Sequence, residues 1–550
     1  MTNASALATA TPDSRDRYVD LLRVGSLGVV VVGHWLMVVV LVGQDGSVTA
    51  TNALALLPWL QPATWLLQVM PIFFLVGGFS HATALTSLRQ RGGTYADFAR
   101  TRADRLLRPT AVFVAVWLAL ALLVEISGND RGVLRLATQT VAQPLWFVGV
   151  YLGVIALAPP MLRLHRRLGR FGAVVPLALA AGAGAVDIAR FAWDVPRIAY
   201  LNVALVWLAV HQIGYLYADR TLTRGGRRLG YTLGGAGLAA TLALTTFGPY
   251  PISMVGMPGD RVSNMSPPTV ALLAHAVWLT GLVLVLREPL SRWLHRPRVW
   301  TGVIAANGLA MTAFLWHLTA MFAATALTVG LAQPAVGSVT WWLLRPAWLA
   351  GLLLFTGAFV ATFRRADRPR RARVSVTRTA NGARTAAAVG GMTLSVIGIL
   401  GLSAVGFGGL LAGRTATLVV LPVTPLLSAA ALAAGAVMLS GTQLATRYRI
   451  GDVSRPGRHR RESVRVNESR PVGAGASLRG VEEVPPRSLS RPFRTESSCA
   501  PGRRPRAAAR YDRSPDGDLQ PLLRYSPVRS GAALSLTRSA GSMKMCREAQ

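Results

Sequence analysis

Arg23 and His34 are the residues of the stretch RDRYVDLLRVGSLGVVVVGHWL (15–36) whose types and spacing suit chemistry. An imidazole takes a proton from a hydroxyl and returns it, which is general-base work; it serves a proton relay or an ion path equally well. Eleven residues at ~100° each bring Arg23 and His34 onto one helix face, about 16 Å apart along the axis. Asp20, three residues before Arg23, shares that stripe. The same residues also fit a structural role: a buried histidine bonded to a neighbouring helix, with Asp20 and Arg23 as interface anchors. An ionisable group in an apolar helix is costly, so it has a task or a partner. The spacing predicts a carboxylate and a guanidinium at one membrane edge and an imidazole near the middle.

The elements that must position these groups are transmembrane helices. Of 550 residues, 52% are hydrophobic, with a mean hydropathy of +0.40. The apolar residues fall in runs near the length that crosses a hydrocarbon core of ~30 Å. Twelve such runs lie near 21–43, 64–88, 109–126, 144–161, 172–190, 199–217, 229–247, 269–286, 301–326, 339–363, 387–412 and 416–440. The polar N-terminus carries no cleavage-site pattern, so the first run reads as a retained span.

The net charge of +34 does not read as a nucleic-acid partner, because its distribution follows the membrane. With the N-terminus in the cytoplasm, the inside loops 89–108, 163–170, 220–228, 287–298 and 364–384 hold 26 arginines, and the outside loops hold six. That is the positive-inside bias of a multi-pass plasma-membrane protein with both termini cytoplasmic. Cys499 and Cys546 are the only cysteines and lie in the polar C-terminal stretch, so neither a disulfide framework nor a cysteine metal site is expected. The organisation expected is a flexible N-terminus (1–14), a transmembrane domain (15–365), a further helix pair (366–446) and a disordered, cytoplasmic Arg/Pro/Ser-rich tail (447–550). The loop 248–268, GPYPISMVGMPGDRVSNMSPP, is long and weakly charged, either a lid or binding loop or a plain connection.

Several blocks, in order, resemble the acyltransferase-3 family of integral membrane acyltransferases over roughly residues 15–365. VDLLRVGSLGVVVVGHW is similar to its first-helix pattern of an Arg, ten residues and a His. MPIFFLVGGFSHATAL resembles the second-helix block, with Gly77 where the family often has Ser. YADFARTRADRLLRPTAVF carries Arg-x-x-Arg at Arg102/Arg105 and Arg105/Arg108. PLWFVGVYL resembles the Leu-Trp-Phe block, and MTAFLWHLTAM a late helix carrying a histidine. The resemblance, with YPISMVGMPGDRVSNMSPPT and AVHQIGYLYAD, is to actinobacterial-type members.

It implies an all-α polytopic fold, a ten-helix core to which two C-terminal helices and a tail are added. It also implies transfer of an acyl group, often acetyl from acetyl-CoA, to a hydroxyl of a carbohydrate, glycolipid or secondary metabolite. No permanently bound cofactor or metal follows; acyl-CoA is a substrate. His34 matches the family's catalytic histidine. Arginine forks suit phosphates, so Arg102, Arg105 and Arg108 are candidates for the nucleotide end, and Arg23 for positioning the donor or stabilising charge. Ordinary positive-inside anchoring accounts for the same arginines. Asp187 and Arg190, three residues apart, read most simply as a pair; an acidic residue in this helix is a family feature, so Asp187 is also a candidate for binding acceptor or orienting the base. His317 and Trp146 are candidates for the acceptor side, beside a hydrogen-bonded role for the first and core packing for the second. His81, His211 and His275 read as packing or interface residues. A secondary transporter of a small metabolite is the alternative, against which stands the absence of an internal repeat between halves.

Overall fold

The computed structural model describes residues 2–12, 15–42, 48–128, 133–257, 259–328, 331, 334–365 and 382–451. The tail expected to be disordered lies, beyond residue 451, outside the described residues, as does most of the 364–384 loop. Among the described residues helices dominate, and ten helical stretches are long and apolar enough to cross a membrane.

The first, α1 (Arg17–Met37), starts where Asp16 caps it, its carboxylate accepting the Tyr18 and Val19 N–H groups. It ends six residues before the expected limit. Val38–Val42 leaves the helix as strand β1 and pairs antiparallel with β2 (Val48–Asn52). Four of those five residues are valines, whose branched Cβ favours a pleated strand over another helical turn. His34 therefore sits in the last turn of α1.

Then follow α2 (Met70–Gln90), α3 (Tyr95–Ile126), α4 (Leu145–Leu168), α5 (Val174–Ala192), α6 (Leu201–Ala218), α7 (Gly226–Phe247), α8 (Val270–Leu294), α9 (Ala310–Thr328), α10 (Val339–Phe363), α11 (Gly382–Val405) and α12 (Pro425–Gly451). Thr94 and Asp97 form a reciprocal capping box that fixes the start of α3 below its arginines.

The expected boundaries change in three places. The run 301–326 is two helices, Pro297–Asn307 and α9, separated around Gly308. The run 416–440 opens with a small hairpin, β3 (Ala416–Leu418) with β4 (Leu421–Val423), and only then enters α12. Pro422 and Pro425 explain the break, since proline is tolerated at an edge strand or in a helix's first turn but not in its interior. Finally α7, with Arg227, Arg228 and many Gly and Thr, is long enough but less apolar than the ten.

Without water between helices, close packing must hold them, and small residues permit it. The α2–α6 crossing is the important case. A Cβ on Gly78 would lie 2.0 Å from the His211 carbonyl oxygen, and one on Gly214 would lie 2.1 Å from that of Leu75. Only glycine fits on either side. Around this crossing Phe73, Phe74, Phe147, Tyr151 and Trp207 form an aromatic core. The helix α10 stays peripheral, with only Trp341, Leu352 and Thr356 buried.

The C-terminal helices are built into the bundle. The Phe407 N–H donates to the Thr138 carbonyl at 2.8 Å, and its ring packs on Phe113 and Trp117. Glu125 accepts the Leu410 and Leu411 N–H groups, each at 2.8 Å.

Candidate functional site

At the end of α1, His34 Nδ1 lies 2.8 Å from Nε2 of His317 on α9, and the two rings stack with centroids 5.0 Å apart and planes 11° from parallel. His317 is fully buried. Its Nδ1 hydrogen-bonds the Phe314 carbonyl one turn earlier. A carbonyl only accepts, so His317 carries its proton on Nδ1, and in the neutral ring Nε2 is then the acceptor. His34 must therefore donate from Nδ1, which leaves Nε2 of His34 unprotonated. Among the described residues that nitrogen has no hydrogen bond, and His34 itself is half-buried. Trp35 Nε1 donates to the His317 carbonyl at 3.1 Å and clamps α1 to α9. The result is an oriented imidazole: Nδ1 is committed to His317, and Nε2 keeps its lone pair without a hydrogen bond among the described residues.

Toward the arginine-rich end of the same face, Arg23 donates to Ser80 Oγ on α2 at 2.7 Å and pairs with Asp20 at 3.3 Å. Asp20 is shared with Arg15 at 2.6 Å. Arg102 of α3 interacts electrostatically with Arg23, Arg105 and Tyr151. His81 of α2 bonds through Nδ1 to Nε2 of His211 on α6, at 2.9 Å. Helical periodicity placed Arg23 and His34 on one stripe, and the structure fills each end of that stripe with a different set of groups.

The other expected residues divide. Arg105 is exposed and Arg108 half-buried at the start of α3. His317 is fully buried and hydrogen-bonded to His34. Trp146 is half-buried and packs on Trp207 and Phe147; Phe147 in turn meets Phe314, beside His317.

Asp187 makes no salt bridge with Arg190, whose guanidinium lies over the Phe191 ring. Its carboxylate instead accepts from Asn202 at 2.8 Å, Tyr250 at 3.0 Å and the Val270 N–H at 2.9 Å. Three donors from three elements satisfy the carboxylate, while Arg190, half-buried, keeps one guanidinium nitrogen without a hydrogen bond. Burial, and then the charge of Asp187, pushes the Tyr250 phenol above its ordinary range and keeps it a donor. Asp187 thus anchors the 248–268 loop. Within that loop Asn264 donates to the carbonyls of Pro251 and Ser253, and Trp65 and Gln68 hold the carbonyls of Ile252 and Met254.

An open groove of about 660 Å³ at the arginine-rich ends of α2, α4 and α6, lined by Ala82, Thr86, His165, Arg166 and Tyr215 among others, contains neither His34 nor His317.

Sequence reasoning missed the partners: His317 for His34, His211 for His81, and Tyr151 beside Gly77. The signal available was the cost of an imidazole in an apolar run, which applies to His81 and His211 as much as to His34.

The profile of the acyltransferase-3 family, described as an acyltransferase domain, matches residues 16–364. No curated protein and no solved structure matches the chain. The match takes in α1 to α10, including both histidines of the His34–His317 pair, and leaves α11 and α12 outside. With its apolar helices and an oriented imidazole in the matched segment, the chain belongs to the acyltransferase-3 family and is a multi-pass membrane O-acyltransferase.

Proposed function

We propose that the protein transfers an acyl group, acetyl in the simplest case, from cytoplasmic acyl-CoA to a hydroxyl of a glycan, glycolipid or small metabolite, with His34 Nε2 as general base. The observation that carries this reading is the directed hydrogen-bond chain from His34 through His317 to the Phe314 carbonyl. It presents the lone pair that a base requires and stabilises the imidazolium that forms. In the transfer, the acceptor oxygen attacks the thioester carbonyl while Nε2 takes the hydroxyl proton. The tetrahedral intermediate then expels the CoA sulfur, which takes the proton back from Nε2. The products are the ester and the free thiol.

The positive-inside bias puts the arginine-rich loops in the cytoplasm, where acyl-CoA is found. Arg23 and Arg102 suit its phosphates, with Arg105 and Arg108 nearer the entrance. His317 acts through His34 as a positioning residue, Trp146 as part of the aromatic wall, and Asp187 as the anchor of the outer loop. No resident cofactor enters this scheme, and membrane lipid is the remaining partner. The test is mass spectrometry of O-acyl groups on envelope glycans, lipids and secreted metabolites from cells with the intact gene, a deletion, and the deletion complemented with His34→Ala. One acylated product lost from both mutants supports the reading and identifies the acceptor. A product that persists with His34→Ala sinks the base assignment.

A further inference from the structure

The transfer step makes no use of the His81–His211 pair, yet two imidazoles buried in the bundle are expensive to keep there. His211 is fully buried and His81 is 2% exposed. His211 Nδ1 is sealed in without any partner. A buried N–H left unpaired is rarer and costlier than an unpaired acceptor, so the His211 proton sits on Nε2 and is donated to His81 Nδ1. His81 is then left with its proton on Nε2. That N–H has no hydrogen bond among the described residues, and it is not among the sealed orphan atoms.

Its surroundings are rich in donors. The Tyr151 ring lies 5.6 Å from that of His81, and its hydroxyl also lacks a hydrogen bond among the described residues. That phenol fills the space a side chain at position 77 would use, since a Cβ on Gly77 would lie 2.9 Å from its oxygen. Both Arg23 and Arg102 interact electrostatically with His81 and with Tyr151. Asp20, the one carboxylate in the cluster, is already shared between Arg15 and Arg23. Two guanidinia, one imidazole N–H and one phenol O–H thus converge from α1, α2, α3 and α4; Arg23 has Asp20 and Ser80 as acceptors, and among the described residues Arg102, the His81 N–H and the Tyr151 hydroxyl have no hydrogen-bond acceptor. Such a set fits a multiply charged phosphate-class anion.

We propose that the His81–His211 pair and Tyr151, together with Arg23 and Arg102, form an internal niche for the diphosphate of the acyl-CoA donor. This rests on the acyl-CoA reading above and extends it to residues outside the transfer step. The lengths agree. Arg23 and His34 are about 16 Å apart along α1, and an extended pantetheine arm spans roughly 16 Å from phosphorus to sulfur. A diphosphate in the niche therefore delivers the thioester to His34. His211 is a positioning residue, since it fixes which His81 nitrogen carries the proton. The bare backbone of Gly78 and Gly214 brings α2 and α6 close enough for that bond.

The test is equilibrium binding of CoA, dephospho-CoA, 4′-phosphopantetheine and pantetheine to the full chain in nanodiscs. Tyr151→Phe removes only the hydroxyl and should weaken the three phosphate-bearing ligands about tenfold or more, leaving pantetheine unchanged. His211→Ala should do the same. His211→Gln, whose amide N–H₂ can donate to His81 Nδ1, should recover most of the affinity, which a purely structural role would not predict. If Tyr151→Phe and His211→Ala bind CoA as the parent does, the niche is wrong, while the donor reading stands on the parent's own binding. If the parent binds none of the four and consumes no acyl-CoA, the donor reading fails and the niche falls with it.

Discussion

The closest backbone contact between α2 and α6 sets a sharp prediction for Gly78→Ala. The added Cβ would meet the His211 carbonyl oxygen at 2.0 Å. Ordinary contact begins near 3.4 Å, so the helices must part by about 1.4 Å, and a backbone carbonyl in a helix cannot swing aside. One turn along, the His81–His211 bond would stretch from 2.9 Å to beyond 4 Å, which is no hydrogen bond. Overpacking of this kind costs about 1–3 kcal/mol, here at the upper end. Thermal unfolding of the purified protein should fall by several degrees, and CoA affinity should fall about tenfold with the loss of the oriented His81 donor. Gly25→Ala is the internal control. Nothing lies within 4 Å of its Cβ, and alanine is favoured over glycine in a helix by up to about 1 kcal/mol, so that variant should be neutral or slightly more stable. A Gly78→Ala protein that melts and binds donor like Gly25→Ala would refute both the tightness of the crossing and its link to the histidine pair.

His317→Ala should leave a folded, donor-binding protein whose acyl transfer falls about 10²–10⁴-fold, because His34 loses the acceptor that fixes its tautomer; transfer within a few-fold of the parent would contradict the oriented base. Asp187→Ala strands the donors of Asn202, Tyr250 and Val270, at roughly 1–3 kcal/mol each where they stay buried. Limited proteolysis should then cut the 248–268 loop faster with donor binding unchanged, and equal cleavage rates would argue against the anchor. Phe407→Ala removes a fully buried ring from between Phe113 and Trp117 and should lower stability by about 3–5 kcal/mol. An unshifted melting curve would show that the C-terminal helices are not built into the bundle.

Much of the architecture was legible because length and hydropathy alone decide where a chain can cross a bilayer. The centres of α2 to α6 and α8 to α11 lie within the runs read from the sequence. The ends were less legible, since they depend on local chemistry: valine turning Val38–Val42 into a strand, prolines delaying α12 to residue 425. At the site, Arg23 and His34 were readable because one helix holds both and periodicity fixes their relative direction. His317 lies 283 residues from His34, and no local pattern records which helices touch. The Asp187–Arg190 spacing was misleading for the converse reason. Neighbours in a helix are visible in sequence, whereas the three donors that hold Asp187 come from elsewhere in the fold.

The two successive imidazoles at the end of α1 also bear on the energetics of the whole cycle. His34 Nδ1 is committed to His317, and His317 Nδ1 is committed to a main-chain carbonyl, so the line ends in a group that takes no proton. In the proposed transfer, a proton collected on Nε2 has no exit through the ring and leaves by the nitrogen on which it arrived, to the departing thiol. On that mechanism turnover would be electrically silent: the hydroxyl's proton becomes the thiol's proton within one site, and no charge is carried across the bilayer. Collapsing or imposing a proton-motive force leaves the rate of such an enzyme where it was, and its driving force is the thioester alone.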